Sequence, residues 1–340
     1  MRRRLGQRYE VGEPIGSGAT STVHLGRLLG TAGFTKLIAI KRPHPHLASD
    51  ATLRALLVDE ARLVSRISHP NVVGVLDVAE DDGELFVVLE YARGATLAEL
   101  LAAGRPAPAL AVAVVRDALS GLHAAHHARD AAGEPLGLVH RDVTPRNVVA
   151  TTDGVGKILD FGVAKARARL STTREGHVRG SLPYMAPEQI RDEPLGPRTD
   201  VYGASVVLWE ALTGRRLFAG ESEAAVIQKI LDHDVKPPST IVPALPGALD
   251  AVVLRGLASD PAERFASGLE MALALETSLA PAPREDVAAW VTRLKEAELE
   301  AREARISRPD DADADAGGDP ANAFERPAEA GASERPAEAG

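Results

Sequence analysis

The chain has no cysteine in its 340 residues. That excludes disulfides, thiolate metal sites and cysteine nucleophiles, and it suits a reducing compartment. Long apolar runs are missing as well, since nothing approaches the ~18 consecutive apolar residues of a membrane-spanning helix. Met1 to Arg4 lead into no apolar signal segment, so the expected setting is cytoplasmic with no membrane span. A one-faced basic stripe is also lacking, and nucleic acid is therefore not an expected partner. The formal net charge is −9, but residues 309–340 hold nine Asp and Glu against two Arg, a net −7 that leaves −2 for the rest. The acidity belongs to the tail.

A hydrophobic fraction of 45% over this length supports a buried core and two or three folding units. The most informative stretch covers 140–162: His140, Arg141 and Asp142, then Asn147, then Asp160, Phe161 and Gly162. An acid ahead of an amide, followed by a second acid, is the spacing a magnesium-dependent phosphoryl-transfer site needs. One carboxylate orients the attacking hydroxyl, while the amide and the second carboxylate hold the metal. Upstream, 9–26 reads as strand, glycine turn and strand, with Ile15, Gly16, Ser17 and Gly18 at the turn and Val23 just after it. Glycine there lets backbone amides approach phosphate oxygens where a β-carbon would collide.

Leu37, Ile38, Ala39 and Ile40 form a short apolar strand that ends in Lys41. In the helix expected over 52–68, Leu53, Leu56, Leu57, Glu60, Leu63, Val64 and Ile67 recur at three- and four-residue intervals. This places Glu60 on or beside the apolar face, where a carboxylate needs a partner. Strands are expected over 72–79 and 84–89, and a core helix over 108–128. His123, His126 and His127 near the end of that helix have no carboxylate or cysteine at ligand spacing, so they read as packed or capping side chains.

Taken in order, these motifs resemble the eukaryotic-type protein kinases, and they are most similar to the bacterial serine/threonine kinases of that fold. The resemblance runs from about 9 to about 279 and implies an α+β, two-lobed fold. A small, mostly antiparallel β N-lobe with one key helix would occupy about 9–91, and a larger, mainly α-helical C-lobe about 92–280. Residues 1–8 would be an N-terminal extension. A charged helix at 281–308, with Val287, Trp290, Val291 and Leu294 as its only apolar stripe, would dock on the core or on a partner. The acidic Ala/Pro/Gly-rich tail at 309–340 repeats Glu-Arg-Pro-Ala-Glu-Ala-Gly and is expected to be disordered.

The same resemblance assigns a site for ATP and Mg2+. Asp142 would orient the substrate hydroxyl or act as base, Asn147 and Asp160 would hold Mg2+, and Lys41 paired with Glu60 would hold the α- and β-phosphates. Ile15, Gly16, Ser17 and Gly18 would cover the phosphates, and Val23, Ala39 and Val149 would sandwich the adenine. Leu89 would stand at the gatekeeper position, with backbone groups of Glu90 and Ala92 holding the base edge. Thr173, then Thr172 and Ser171, would be activation-segment phosphosites received by Arg141, with transient self-association as the route to autophosphorylation. Asp200 would hold the backbone at His140 and Arg141, and Arg264 would pair with Glu188.

Three departures matter. Ser21 stands at the third glycine of the turn. Thr144 stands where serine/threonine kinases usually carry a lysine, and Arg146 stands where receptor-type tyrosine kinases place a compensating arginine. Gly180 and Ser181, ahead of Ala186, Pro187 and Glu188, resemble the serine/threonine class. The expected function is phosphorylation of protein Ser/Thr hydroxyls. The alternative is a catalytically weak or silent nucleotide-binding scaffold.

Overall fold

The computed structural model describes residues 3–18, 20–48, 50–161 and 180–307. Gly162, the phosphosites Ser171, Thr172 and Thr173, and the acidic tail lie outside the described residues. Strands β1 (Arg3–Leu5), β2 (Tyr9–Ser17), β3 (Ser21–Leu29), β4 (Thr35–Pro43), β5 (Val75–Asp81) and β6 (Glu84–Glu90) make one antiparallel sheet in the order β1-β2-β3-β4-β6-β5. Within the expected N-terminal extension, Arg3–Leu5 thus form a strand in which Leu5 pairs with Tyr9 and is buried.

Side chains alternate across a pleated sheet. Ile38 and Ile40 of β4 therefore point one way, into a cluster with Leu5, Tyr9, Val11, Phe86 and Val88. Ala39 and Lys41 point the other way. Val23 lies opposite Lys41 and Leu89 opposite Ala39, and opposed residues share a face. One face of the sheet thus closes on its own core, leaving the other with Val23, Ala39, Lys41 and Leu89.

Helix α1 (Ala51–Val64) buries Leu56, Leu57, Glu60, Ala61 and Val64, spacings that lie on one helical face. It is shorter than the expected 52–68. Beyond Ala61 the backbone tightens, with Arg66 N–H on the Leu63 carbonyl at 3.3 Å and Ile67 N–H on the Val64 carbonyl at 2.9 Å. Ile67 consequently joins the core of the second lobe. The strand expected over 72–79 likewise begins later, because Val72 and Val73 bond instead to Ile158.

The second lobe starts with β7 (Gly94–Thr96) and α2 (Leu97–Ala103), whose first turn is closed by a reciprocal Thr96–Glu99 capping box. A second antiparallel sheet joins β7 to β8 (Val148–Thr151) and β9 (Gly156–Ile158). Among the described residues the remaining α-helices are α3 (Pro108–His126), α4 (Pro187–Ile190), α5 (Pro197–Thr213), α6 (Glu223–Asp232), α7 (Gly247–Gly256), α8 (Gly268–Ser278) and α9 (Arg284–Ser307). Helix α3 stops short of the expected 128, where the His127 ring bonds the His123 carbonyl at 2.9 Å and closes the last turn. Helix α5 is buried around nearly its whole circumference, which marks it as a core helix, and α3, α7 and α8 pack on it.

A buried ion pair ties this helical core to the loops above it. Arg264 donates to both Glu188 carboxylate oxygens at 2.7 and 2.9 Å, and to the carbonyls of Ala258, Arg198 and Ser259 at 2.7, 3.0 and 3.0 Å. Burial alone would raise the Glu188 pKa, but the Arg264 bonds more than reverse that and the net shift is downward. Its contribution to stability is therefore complete above the ordinary value of 4.5 and is lost as pH falls through the lowered folded value. Glu188→Ala leaves the buried guanidinium without its carboxylate and should cost about 3–5 kcal/mol in urea unfolding at neutral pH. A loss below about 1 kcal/mol would mean the pair behaves as a solvated one.

Candidate active site

The residues expected to hold the metal come together because of one hairpin. Val148 pairs with Ile158 across β8 and β9, so Asn147, just before β8, meets Leu159 and Asp160, just after β9. The Leu159 N–H closes this junction on the Asn147 carbonyl at 2.8 Å. Asn147 then turns its amide to Asp142, donating from Nδ2 to the Asp142 carbonyl at 2.7 Å and to its Oδ2 at 2.9 Å. With the NH2 group engaged, Oδ1 is the face of Asn147 left for a hard cation.

Two backbone positions here are left-handed, Arg141 at φ 66° and Asp160 at φ 48°, a region that non-glycine residues enter only when the surroundings hold them there. Asp200, at the start of α5, supplies the hold for the first. Its Oδ1 accepts the Arg141 N–H and its Oδ2 the His140 N–H, each at 2.8 Å. Gln189 Nε2 adds a bond to the Arg141 carbonyl at 3.0 Å. His140 Nδ1 accepts the Asp142 N–H at 3.2 Å, so its proton sits on Nε2, which donates to the Leu159 carbonyl at 2.7 Å. Phe161 packs against the His140 ring at 4.9 Å and anchors Asp160 from the core side.

Lys41 reaches this cluster from β4. Its Nζ lies 2.8 Å from Asp160 Oδ1 and 3.3 Å from Glu60 Oε1, so one cation joins the sheet, α1 and the second lobe. Burial by itself would lower the Lys41 pKa, but the carboxylates of Asp160 and Glu60 outweigh it and the net shift is upward. The lysine is charged at every physiological pH.

Of the nucleotide residues named from sequence, Val23, Ala39 and Leu89 share the Lys41 face of the sheet. Ala39 and Val149 are buried, while Ile15, Val23, Leu89, Glu90 and Ala92 are half-buried. The Glu90 carboxylate turns away to Lys157 at 2.9 Å and its N–H is taken by the Gly74 carbonyl at 2.9 Å, so of its backbone groups only the carbonyl would serve a base edge. Among the described residues the Ala92 N–H has no backbone acceptor. Gly16, Ser17 and Gly18 are exposed, and a β-carbon at Gly16 would meet nothing within 4 Å. The protein's own packing does not require glycine at that position, whereas a phosphate lying against the loop does. Arg146 does not join the Lys41 cluster. It is exposed, and among the described residues its side chain makes no hydrogen bond or ion pair.

Sequence reasoning anticipated the Asp200 contacts but missed what completes them. His126 Nε2 lies 2.7 Å from Asp200 Oδ2, and both side chains are 1% exposed, so one of the three helix-end histidines braces the catalytic loop. No local spacing could reveal this, because the partners stand 74 residues apart.

A sequence profile of the protein kinase domain matches residues 9–274. The chain belongs to the protein kinase family. Among similar curated proteins, the tyrosine-protein kinase MasK of Myxococcus xanthus is 39% identical over 277 residues, covering 80% of this chain and 43% of MasK. The serine/threonine-protein kinase PknL of Mycobacterium tuberculosis is 38% identical over 290 residues, covering 82% of this chain and 70% of PknL. PknB of Mycolicibacterium smegmatis is 36% identical over 274 residues, 78% of this chain and 42% of PknB. The chain thus spans less than half of MasK and PknB. Among solved structures, the PknI kinase domain of M. tuberculosis superposes with a TM-score of 0.60 at 26% identity, covering 82% of this chain and 98% of that domain.

Membership in the kinase family implies a phosphotransferase that uses ATP, typically with Mg2+, and the residues present fit that group. When bound, the nucleotide and metal would supply the transferred phosphoryl group and the positive charge that offsets its oxygens. Asp160 and Asn147 Oδ1 would hold the metal, with Lys41 on the phosphates. Asp142, fixed by Asn147 and by its own N–H on His140, is placed to take the proton of an incoming hydroxyl. Lys41→Met removes the only cation shared by Glu60 and Asp160 among the described residues. It should lower kcat by roughly 10²–10³-fold, the size expected for losing one preorganised electrostatic donor, while retaining the circular dichroism of the fold. Unchanged turnover would show that Lys41 has no part in phosphate charge stabilisation.

Proposed function

We propose that this kinase transfers the ATP γ-phosphate to serine or threonine hydroxyls of cytoplasmic proteins, and to its own Thr173, with Thr172 and Ser171 as secondary sites. The hydroxyl oxygen forms a bond to the γ-phosphorus as the bond to the β-phosphate oxygen breaks; ADP leaves, and the hydroxyl proton passes to Asp142.

The observation that carries a protein substrate is an open groove of about 650 Å³ beside the catalytic loop. Thr144, Pro145 and Arg146 line one wall and Gly180, Pro183 and Tyr184 another. An open channel of that kind suits an extended chain better than a small metabolite, which favours an enclosing pocket. Tyr184 is fixed by its hydroxyl on Glu210 at 2.7 Å and by Arg216, so the groove wall is preorganised. Gly180 and Ser181 support the serine/threonine class, as do the names of PknL and PknB.

Two observations favour a second reading, tyrosine specificity: Arg146 in the position tyrosine kinases use, and the name of MasK. Thr144 in place of lysine favours a third, the weakly active or silent scaffold.

Labelled ATP and Mg2+, with Asp142→Asn as control, followed by phosphoamino-acid analysis, separates the three. The proposal expects phosphoserine and phosphothreonine from the wild type and none from the variant; phosphotyrosine alone, or no label, would overturn it. Arg146→Ala should lower kcat by roughly 10- to 1,000-fold if its charge replaces the missing lysine at the transition state. A rise only in the KM for protein substrate would place Arg146 on the substrate instead.

A further inference from the structure

Helix α9 lies beyond residues 9–274, the span that matches the protein kinase profile, yet it touches two parts of the candidate nucleotide site, at Tyr91 and Arg93 and at Gly12 and Glu13. At ~1.5 Å per residue, a helix of this length can reach from one lobe to the other. Its first half is rooted in the C-lobe, where Val287, Trp290 and Val291 are buried in the main core. Leu294, expected to extend that stripe, is 37% exposed. The burial resumes at Leu299 and Ile306, and the helix meets further surfaces, among them β2, β3, β7 and β8.

Two of those surfaces belong to the nucleotide site. Arg93, one residue after Ala92, donates to Glu303 from Nε at 2.9 Å and to Glu296 from Nη1 and Nη2 at 3.2 and 2.9 Å. Glu296 and Glu303 are two turns apart, on one helical face. Tyr91 adds its hydroxyl to Glu303 at 3.3 Å, and the Arg93 carbonyl accepts the Thr152 N–H at 2.8 Å. The connection between the lobes is thus held on both its backbone and its side chains. Further along, Arg305 meets Glu13 at 2.6 Å. Ile306 packs so closely on β2 that a β-carbon at Gly12 would lie 2.8 Å from its Cδ1. Gly12 and Glu13 stand where β2 shifts register, just before Ile15 and the glycine turn.

We propose that α9 is a positioning element for the nucleotide site, clamping the Tyr91–Arg93 connection and the base of the glycine turn so that the two lobes stay at a nucleotide-ready separation. Glu296, Glu303 and Ile306 touch no reacting atom and act through Arg93 and Gly12. The proposal rests on the nucleotide-binding reading above. The Glu296→Gln, Glu303→Gln double variant keeps the shape and removes both charges that hold Arg93.

The test measures equilibrium binding of Mg·ADP and the distance between spin labels on the two lobes. The absence of native cysteine allows Lys36→Cys in β4 and Gln228→Cys in α6 to carry the labels. If the ready separation falls to about a fifth of the population, apparent affinity falls about five-fold, and the distance distribution broadens while the melting temperature stays above the assay temperature. Ile306→Ala should move both readouts in the same direction. Unchanged affinity and distances in both variants would reduce α9 to a stabilising appendage and overturn the proposal. No Mg·ADP binding by the unmutated chain would overturn the nucleotide reading and the proposal together.

Discussion

A lysine buried in a protein interior must be paired, because an isolated ammonium there is costly to desolvate. Lys41 meets that constraint with two carboxylates from different parts of the molecule, Glu60 of α1 and Asp160 beyond β9. The sheet, the helix beside it and the second lobe can satisfy Lys41 together only when all three stand at the right separation. The charge that organises the site is thus also the one that registers the lobes. A phosphate group entering the cleft meets a cation already desolvated and already held in place, which is the condition under which electrostatic stabilisation is strongest.

The second lobe holds its half of the site by buried polar pairs set into an otherwise apolar core. Asp200 takes three donors, from His126, His140 and Arg141, and so keeps Arg141 in a left-handed conformation that free chains avoid. Glu188 and Arg264 do the corresponding work for the segment that forms the groove wall. These groups stabilise particular loop shapes, and the placement of Asp142 depends on them.

That Asp142, Asn147 and Asp160 would stand near one another was legible in the sequence, because their types and spacing resemble those a phosphoryl-transfer site needs. An acid, an amide and a second acid around a short hairpin leave few alternatives, and Asp200 and the Arg264–Glu188 pair followed from the same resemblance. The strand pattern was legible too, although β5 begins at Val75 and α1 ends at Val64, where contacts to Ile158 and to the C-lobe core override local periodicity. What stayed hidden depends on distant partners. His126 reads as a helix-end histidine until α5 brings Asp200 to it. In α9 a strip of Glu residues on a charged helix looks like a solvated face, and only the position of Arg93 gives Glu296 and Glu303 their role. Leu294 misled for the complementary reason, since an apolar residue at helical spacing is buried only where a surface waits for it.

A metal–nucleotide site at the Lys41–Glu60–Asp160 cluster would couple ATP affinity to Mg2+ through Asp160. Calorimetric titration of ATP into the protein with and without Mg2+, repeated on Asp160→Asn, tests this directly. The predicted result is that Mg2+ tightens ATP binding to the wild type, while the variant keeps the metal-free affinity and loses the tightening. An equal Mg2+ effect in both proteins would contradict the assignment of Asp160 as a metal ligand, and with it the reading of the site.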